Sequence, residues 1–525
     1  MLALLLKTIS SFVEFRRYGN LLGRTLLQKE QIKLVDRGLS AKKPKEHVVS
    51  PCLRLMTEIV SFDGGNAAKN LYLHRDVTFK HLDLFLGMRK DSGGTADDRK
   101  PSVRNNALRY LFANLRMQDH VTKIEILAQG RTFRAVLQDI REDSPTIVQG
   151  ILDTLKKEIV ENNAISPLSK SRLFTDSTLR RLAMLYSYHE DDRNLDGSIN
   201  IEDSVHAFLL QICTNVEYGV LIAQSPPRTD AAKDDLDTGG AQEMISISES
   251  YRTLKPIKNR TLSSFLQALR PYSNVHHHDL ALAIFQAAPE LIADYFHKQK
   301  RFSFEPKLTA TWIGYSRLLM STVQLPIPKE SLQNTNGTLI VSPIAVLIES
   351  ILPQPLTKKV LTRCINQSAG LITFFAMKIL VLAFEKLGTA LKTLKSANQD
   401  HQDQSTRRGE QAALALIAAF CQRCPDMKYA IAVFRSCAKE KVMLREAITR
   451  LLALYYEFLP QVALDNRFDI SVALSVTLQE HKLGTQSLEG PGMQSLELGH
   501  LLNIAHRSPD MNWWHKMGRL SLVVE

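Results

Sequence analysis

Oxygen-bearing side chains recur at a calcium-loop spacing between residues 192 and 203. Asp192, Asn194, Asp196 and Asn200 take positions 1, 3, 5 and 9, with Gly197 at the sixth and Ile199 at the eighth. Such a loop needs a bidentate carboxylate at its last position, where Asp203 is one methylene shorter than the usual glutamate. Asp191 replaces the apolar residue that closes the entering helix, and no second loop pairs with this one. The expectation is a solvated interhelical turn and no metal, since Asp, Asn and Gly are also what a bend and a helix cap select. Cys421, Cys424 and Cys437 offer three thiolates, but no fourth ligand stands at zinc spacing, so they read as helix residues. His276, His277, His278 and Asp279 follow a Pro-Tyr-Ser-Asn stretch and precede an apolar helix, which points to a loop ending in a cap. Phosphate loops, dinucleotide turns, nucleophile elbows and zinc-protease helices are all missing, so no catalytic residue and no cofactor are assigned.

Cationic clusters remain. One holds Lys42, Lys43 and Lys45; a second holds Arg252, Lys255, Lys258 and Arg260; a third holds Lys298, Lys300 and Arg301 after His297. Tyr295, Phe296, Phe302 and Phe304 flank the third, so it offers phosphate contacts with aromatic rings for stacking bases. The competing reading has Tyr295 and Phe296 ending a buried stripe, with the lysines at a helix end where the dipole favours cations. Net charge, 66 basic minus 54 acidic residues, is +12, which suits a polyanionic partner without naming one.

The elements that must position these groups are helical. Hydrophobic residues at 44% and charged residues at 23% are ordinary for globular chains, while 24 glycines and 20 prolines in 525 residues are few for turn-rich sandwiches or barrels. Six cysteines set no disulfide framework and fit a reducing compartment. Leu2, Leu5, Leu6, Ile9, Phe12 and Val13 step by three and four, predicting a packed helix from the first residue and a chain that begins inside a larger array. Ser50-Pro51 predicts a helix start, with Leu53, Met56 and Val60 as its stripe and Asp63-Gly64-Gly65 as its end. Further stripes run through Leu108, Leu111, Phe112 and Leu115, through Phe133, Val136, Leu137 and Ile140, and through Ile147, Val148, Ile151, Leu152 and Leu155. Between the last two, Asp143-Ser144-Pro145 makes a turn of the kind HEAT repeats use and is expected to cap the next helix. Leu371 to Phe384, with Lys378 inside it, reads as a buried helix, and no segment is assigned to a membrane.

The predicted fold is all-α, an irregular α-solenoid of HEAT/armadillo-like helix pairs. Its expected divisions are a helical-repeat region over 1–224, a disordered linker over 225–250 and a second helical region over 251–390. A polar linker over 391–410 and further helical repeats over 411–525 complete the chain.

Several long strings resemble the N-terminal part of the nucleolar pre-ribosomal-associated protein family, also called unhealthy ribosome biogenesis protein. They are SPCLRLMTEIVSFDGG at 50–65, LDLFLGMRK at 82–90, KSRLFTDSTLRRLAMLY at 170–186, FLLQICTNVEYGVL at 208–221, APELIADYF at 288–296, FEPKLTATWIGYSRLLMSTVQLPIP at 304–328 and IESILPQPLTKKVLTRCINQ at 348–367. The resemblance runs over roughly residues 1–390, with 410–515 similar to the helical repeats that follow. It implies a non-enzymatic scaffold of early large-subunit precursor particles in the nucleus and nucleolus, needed for processing and folding of large-subunit precursor rRNA. It also implies as partners that rRNA, pre-ribosomal proteins including a second large scaffold protein and a DEAD-box helicase, and small nucleolar RNPs. Family members are far longer, so the family's large C-terminal portion is expected to be absent from this chain, which ends just after Trp513-Trp514-His515. The loop at 192–203 sits in what looks like a variable insertion. The alternatives are a helical-repeat adaptor such as a transport receptor, and a calcium-responsive helical protein.

Overall fold

The computed structural model describes residues 1–40, 45–88, 101–188, 200–222, 258–299, 304–327, 344–396, 403–438, 440–482, 491–509, 511, 516–517 and 520–521. Among them every regular element is helical except one antiparallel pair of two-residue strands, Lys516–Met517 with Leu520–Ser521. Helices begin where a short polar side chain takes an orphan N–H: Ser102 accepts from Asn105, Asp119 from Thr122, Thr309 from Trp312 and Thr357 from Val360. Two compact units result, Met1–Ala223 with Asn259–Leu269, and Gln224–Lys258 with Arg270–Glu525. The segment Asn259–Leu269, assigned by sequence to the second helical region, packs with the first unit.

The first unit opens with α1 (Leu2–Ser10), α2 (Arg16–Leu26), α3 (Lys29–Leu39) and α4 (Glu46–Ser61). The short helices α5 (Ala68–Tyr72), α6 (Arg75–Thr78) and α7 (Leu82–Leu86) lead to α8 (Val103–Met117), α9 (His120–Leu127) and α10 (Gly130–Gln138). Then come α11 (Pro145–Leu155), α12 (Pro167–Ser171), α13 (Asp176–Ala183), α14 (Ile201–Thr214) and α15 (Arg260–Ala268). Packing sorts them into two series: α7, α10, α13 and α15 touch in succession, and so do α4, α8, α11 and α14. The apolar stripes read from sequence supply many of the contacts, with Leu53, Leu111, Val148 and Ile151 all fully buried.

Three local expectations are corrected. Ser50-Pro51 does not begin a helix: α4 starts at Glu46 and carries Pro51 inside it. Burying Val49 and Leu53 completely outweighs the one backbone hydrogen bond that proline removes. The first stripe is only partly covered, because α1 ends at Ser10 and Phe12 is extended, leaving Leu6 buried while Leu2, Leu5, Phe12 and Val13 are exposed. The Asp143-Ser144-Pro145 turn does lead into α11, with Ser144 at the N-cap position and Pro145 at the helix start, but Ser144 makes no side-chain cap hydrogen bond and Asp143 is engaged elsewhere. Its carboxylate is taken by Arg104, through Nε to Oδ1 at 2.7 Å and Nη2 to Oδ2 at 2.6 Å, and the guanidinium also donates to the carbonyls of Leu86, Ala135 and Val136.

The second unit contains α16 (Val275–Ala287), α17 (Glu290–Lys298), α18 (Ala310–Gln324), α19 (Ile344–Ile351) and α20 (Lys358–Ile365). It continues with α21 (Gly370–Ser396), α22 (Asp403–Arg423), α23 (Met427–Ser436), α24 (Val442–Phe458), α25 (Pro460–Asp465), α26 (Ser471–Lys482) and α27 (Pro491–Arg507). The apolar run at 371–384 lies in α21, a 27-residue helix packed against α18, α19, α20, α22 and α24. Among the described residues no helix is long and apolar enough to cross a membrane. The expected polar linker at 391–410 is helical at both ends, since α21 runs to Ser396 and α22 starts at Asp403. The C-terminal end of α19 is held by buried cations: Lys386 donates to the Ser350 carbonyl at 2.8 Å, and Arg423 to the Leu352 carbonyl at 2.8 Å and to Glu349 at 2.6 Å. Burial lowers the Lys386 ammonium to about 7.

Candidate nucleic-acid interface

The cations singled out by sequence are placed unequally. Lys298 ends α17 and is already neutralised, its Nζ 2.8 Å from an Asp294 carboxylate oxygen. Lys258 and Arg260 are exposed, Arg260 as the first residue of α15. Lys300, Arg301, Arg252 and Lys255 lie outside the described residues, as do Phe302 and the loop at 192–199.

The aromatic rings beside Lys298 belong to the core. Tyr295 is 1% exposed and packs edge-on against Phe285; Phe304 is 3% exposed and stacks on Trp312 with centroids 5.2 Å apart. Rings held this way are not free to stack bases. A cavity of about 200 Å³ opens beside them, lined by Phe296, His297, Gln299, Phe304, Tyr315 and Leu319. It is smaller than the roughly 300–1,000 Å³ of ordinary ligand clefts.

The other constellations resolve into local structure. Asn200 caps α14 and its amide nitrogen lies 2.6 Å from an Asp203 oxygen, as the turn reading expects of that end of the loop. Asn274 caps α16, His277 Nδ1 accepts the Arg270 N–H at 2.9 Å, and His278 Nδ1 sits 3.1 Å from Asp279. The sulfur of Cys424 lies 3.1 Å from the Tyr455 hydroxyl, and burial pushes its thiol up to about 12. Among the described residues no group of three or more His, Cys, Asp or Glu is arranged to hold a metal.

Sequence reasoning passed over four cations that the fold gathers beside Arg260, which it had singled out. Arg131 and Arg134 are exposed on α10, Arg180 is exposed and Arg181 half-buried on α13, and Arg260 opens α15. Hydrogen bonds link the three helices: Arg181 Nη1 donates to the Arg134 carbonyl at 2.9 Å, and Arg180 Nη2 to the Ser264 hydroxyl at 3.1 Å. The signal was present as the spacing Arg131-Thr-Phe-Arg134 and the pair Arg180-Arg181, each opposite a buried face. Their convergence rests on contacts 47 and 84 residues apart, which no local pattern carries.

A family model described as Npa1, ribosome 60S biogenesis N-terminal, matches residues 1–315. The chain is 24% identical over 554 aligned positions to the human protein called nucleolar pre-ribosomal-associated protein 1, covering 97% of this chain and 22% of that protein. The Saccharomyces cerevisiae protein of the same name is 21% identical, covering 97% of this chain and 28% of its own length. The chain thus spans about a quarter of the relatives it matches. Among solved structures, importin beta overlaps 96% of this chain and 69% of its own at 10% identity with a TM-score of 0.25, too low to establish a shared arrangement. The match over more than half its length places the chain in the Npa1 ribosome 60S biogenesis family.

Proposed function

We propose that this chain acts as a non-enzymatic scaffold in early precursors of the large ribosomal subunit, in the nucleolus, where it helps large-subunit rRNA to fold and be processed. The family match over residues 1–315 carries the reading. The +12 charge, the helical architecture and the nucleolar pre-ribosomal names of the relatives support it. The two series of helices in the first unit support a HEAT/armadillo-like arrangement, in which stacked pairs offer a long surface to several partners at once. The proposed partners are precursor rRNA, a second large scaffold protein, a DEAD-box helicase and small nucleolar RNPs.

Sucrose-gradient sedimentation of a nuclear extract containing the tagged chain tests this. The tag is expected in the fractions that hold large-subunit precursor RNA, and to leave them after ribonuclease treatment. A tag confined to the top of the gradient would reject the reading.

A further inference from the structure

We propose that the arginine row on α10, α13 and α15 is a binding surface for the phosphate backbone of folded, double-helical RNA. The inference deepens the proposed function and rests on it.

Arg131 and Arg134 are three residues apart on the exposed side of α10, opposite Thr132, Phe133, Val136 and Leu137, which are buried. Arg260 stands four residues before Ser264, so the two share a side of α15, and Ser264 is where Arg180 of α13 makes contact. Together with the Arg181 bond to α10, these contacts place five guanidinium-bearing positions across three adjoining helices. Packed helices are about 8–10 Å apart, so the row extends over roughly 20 Å.

Three features point to a polyanion. Among the described residues Arg131, Arg134 and Arg260 form no ion pair and no side-chain hydrogen bond, while Asp176, the carboxylate on the row, bonds Arg180 at 2.9 Å. Arg131 and Arg260 also sit in the first turns of their helices, where the positive end of the helix dipole disfavours a cation. Helix stability therefore does not explain them. Guanidinium groups match phosphate oxygens in bidentate geometry, and unpaired ones release counterions when they neutralise a phosphate. Besides arginine, the exposed residues of these three helices are Gly130, Gln138, Ser177 and Ala268, with no aromatic ring to stack a base. Backbone contact to a folded helix, tolerant of sequence, is what this surface chemistry supports.

The test is a triple substitution, Arg131→Gln, Arg134→Gln and Arg260→Gln, which leaves the interhelical bonds of Arg180 and Arg181 intact. Binding of a labelled RNA hairpin with a stem of about 20 base pairs, long enough to cross successive grooves, is measured by anisotropy over a salt series. Affinity is expected to fall at least about tenfold near physiological salt, and the slope of log affinity against log salt to flatten by about two to three. The matched Arg→Lys triple should keep most of that slope, which excludes misfolding as the cause. The charge-matched control replaces Lys298, Lys300 and Arg301 by alanine. An unchanged slope in the row variant would overturn the inference, and so would an equal loss in the control, which would mean diffuse attraction. Equal displacement of the hairpin by polyglutamate at matched charge would assign the row to an acidic protein and overturn it as well. Wild-type chain that sediments with precursor particles, together with a row variant that still binds the hairpin normally, would sink this inference and leave the proposed function standing.

Discussion

Arg104 uses all five of its N–H donors inside the first unit, two on Asp143 and three on the carbonyls of Leu86, Ala135 and Val136. Arg104→Met would leave a carboxylate buried without its cation, and is expected to destabilise the unit by about 3–5 kcal/mol in denaturant titration. Arg104→Lys should recover little, because one ammonium replaces a planar fork. Lys386 makes the opposite kind of prediction. Its ammonium titrates near 7 when folded and near 10.5 when exposed, so between those values the unfolded chain holds the extra proton. Stability of the second unit should therefore rise with pH from about 7 to about 10, by at most about 5 kcal/mol, and Lys386→Met should flatten that rise. Neither role was legible in sequence. Asp143 resembles a turn residue until its partner 39 positions away is known, and Lys386 follows an ordinary apolar helical run.

At the scale of elements, periodicity located the helices well, because Leu53, Leu111, Val148 and Leu380 recur at helical spacing and are buried whatever their neighbours. It located their ends less well, since Pro51 reads as a start signal but tertiary burial of Val49 extends α4 backwards past it. Close approaches were also invisible. Gly314 on α18 lies so near the backbone of Tyr272 that an added Cβ would meet its carbonyl oxygen at 2.1 Å. Backbone cannot rotate away as a side chain can, and the ring of Tyr272 already stacks on Tyr315 at 4.7 Å. Gly314→Ala is expected to cost about 1–3 kcal/mol and to lower the thermal midpoint, with helix content by circular dichroism unchanged below it. Retention of the wild-type midpoint would mean that α18 moves outward freely. Apart from Arg260, the arginine row escaped the sequence reading for the same reason, since each of its helices shows only one or two cations.

For the whole molecule, the division into two units brings an expectation about its connection. Residues 225–250 hold two prolines, Gly239-Gly240 and few large apolar side chains, so limited proteolysis of the full chain is proposed to cut there first; early cuts within the helical blocks would reject that. The six cysteines carry a consequence of their own. None is paired, and they divide by burial into Cys213, Cys364 and Cys424, which are covered, and Cys52, Cys421 and Cys437, which are partly accessible. Burial pushes all six thiols upward, with Cys364 and Cys424 held at about 12. Alkylation at mild pH therefore works as a clock built into the chain. The three accessible sulfurs should label early, Cys213 only when α14 detaches, and Cys364 and Cys424 only when the second unit opens, so mass-resolved labelling times would report the separate breathing of each unit without any introduced probe.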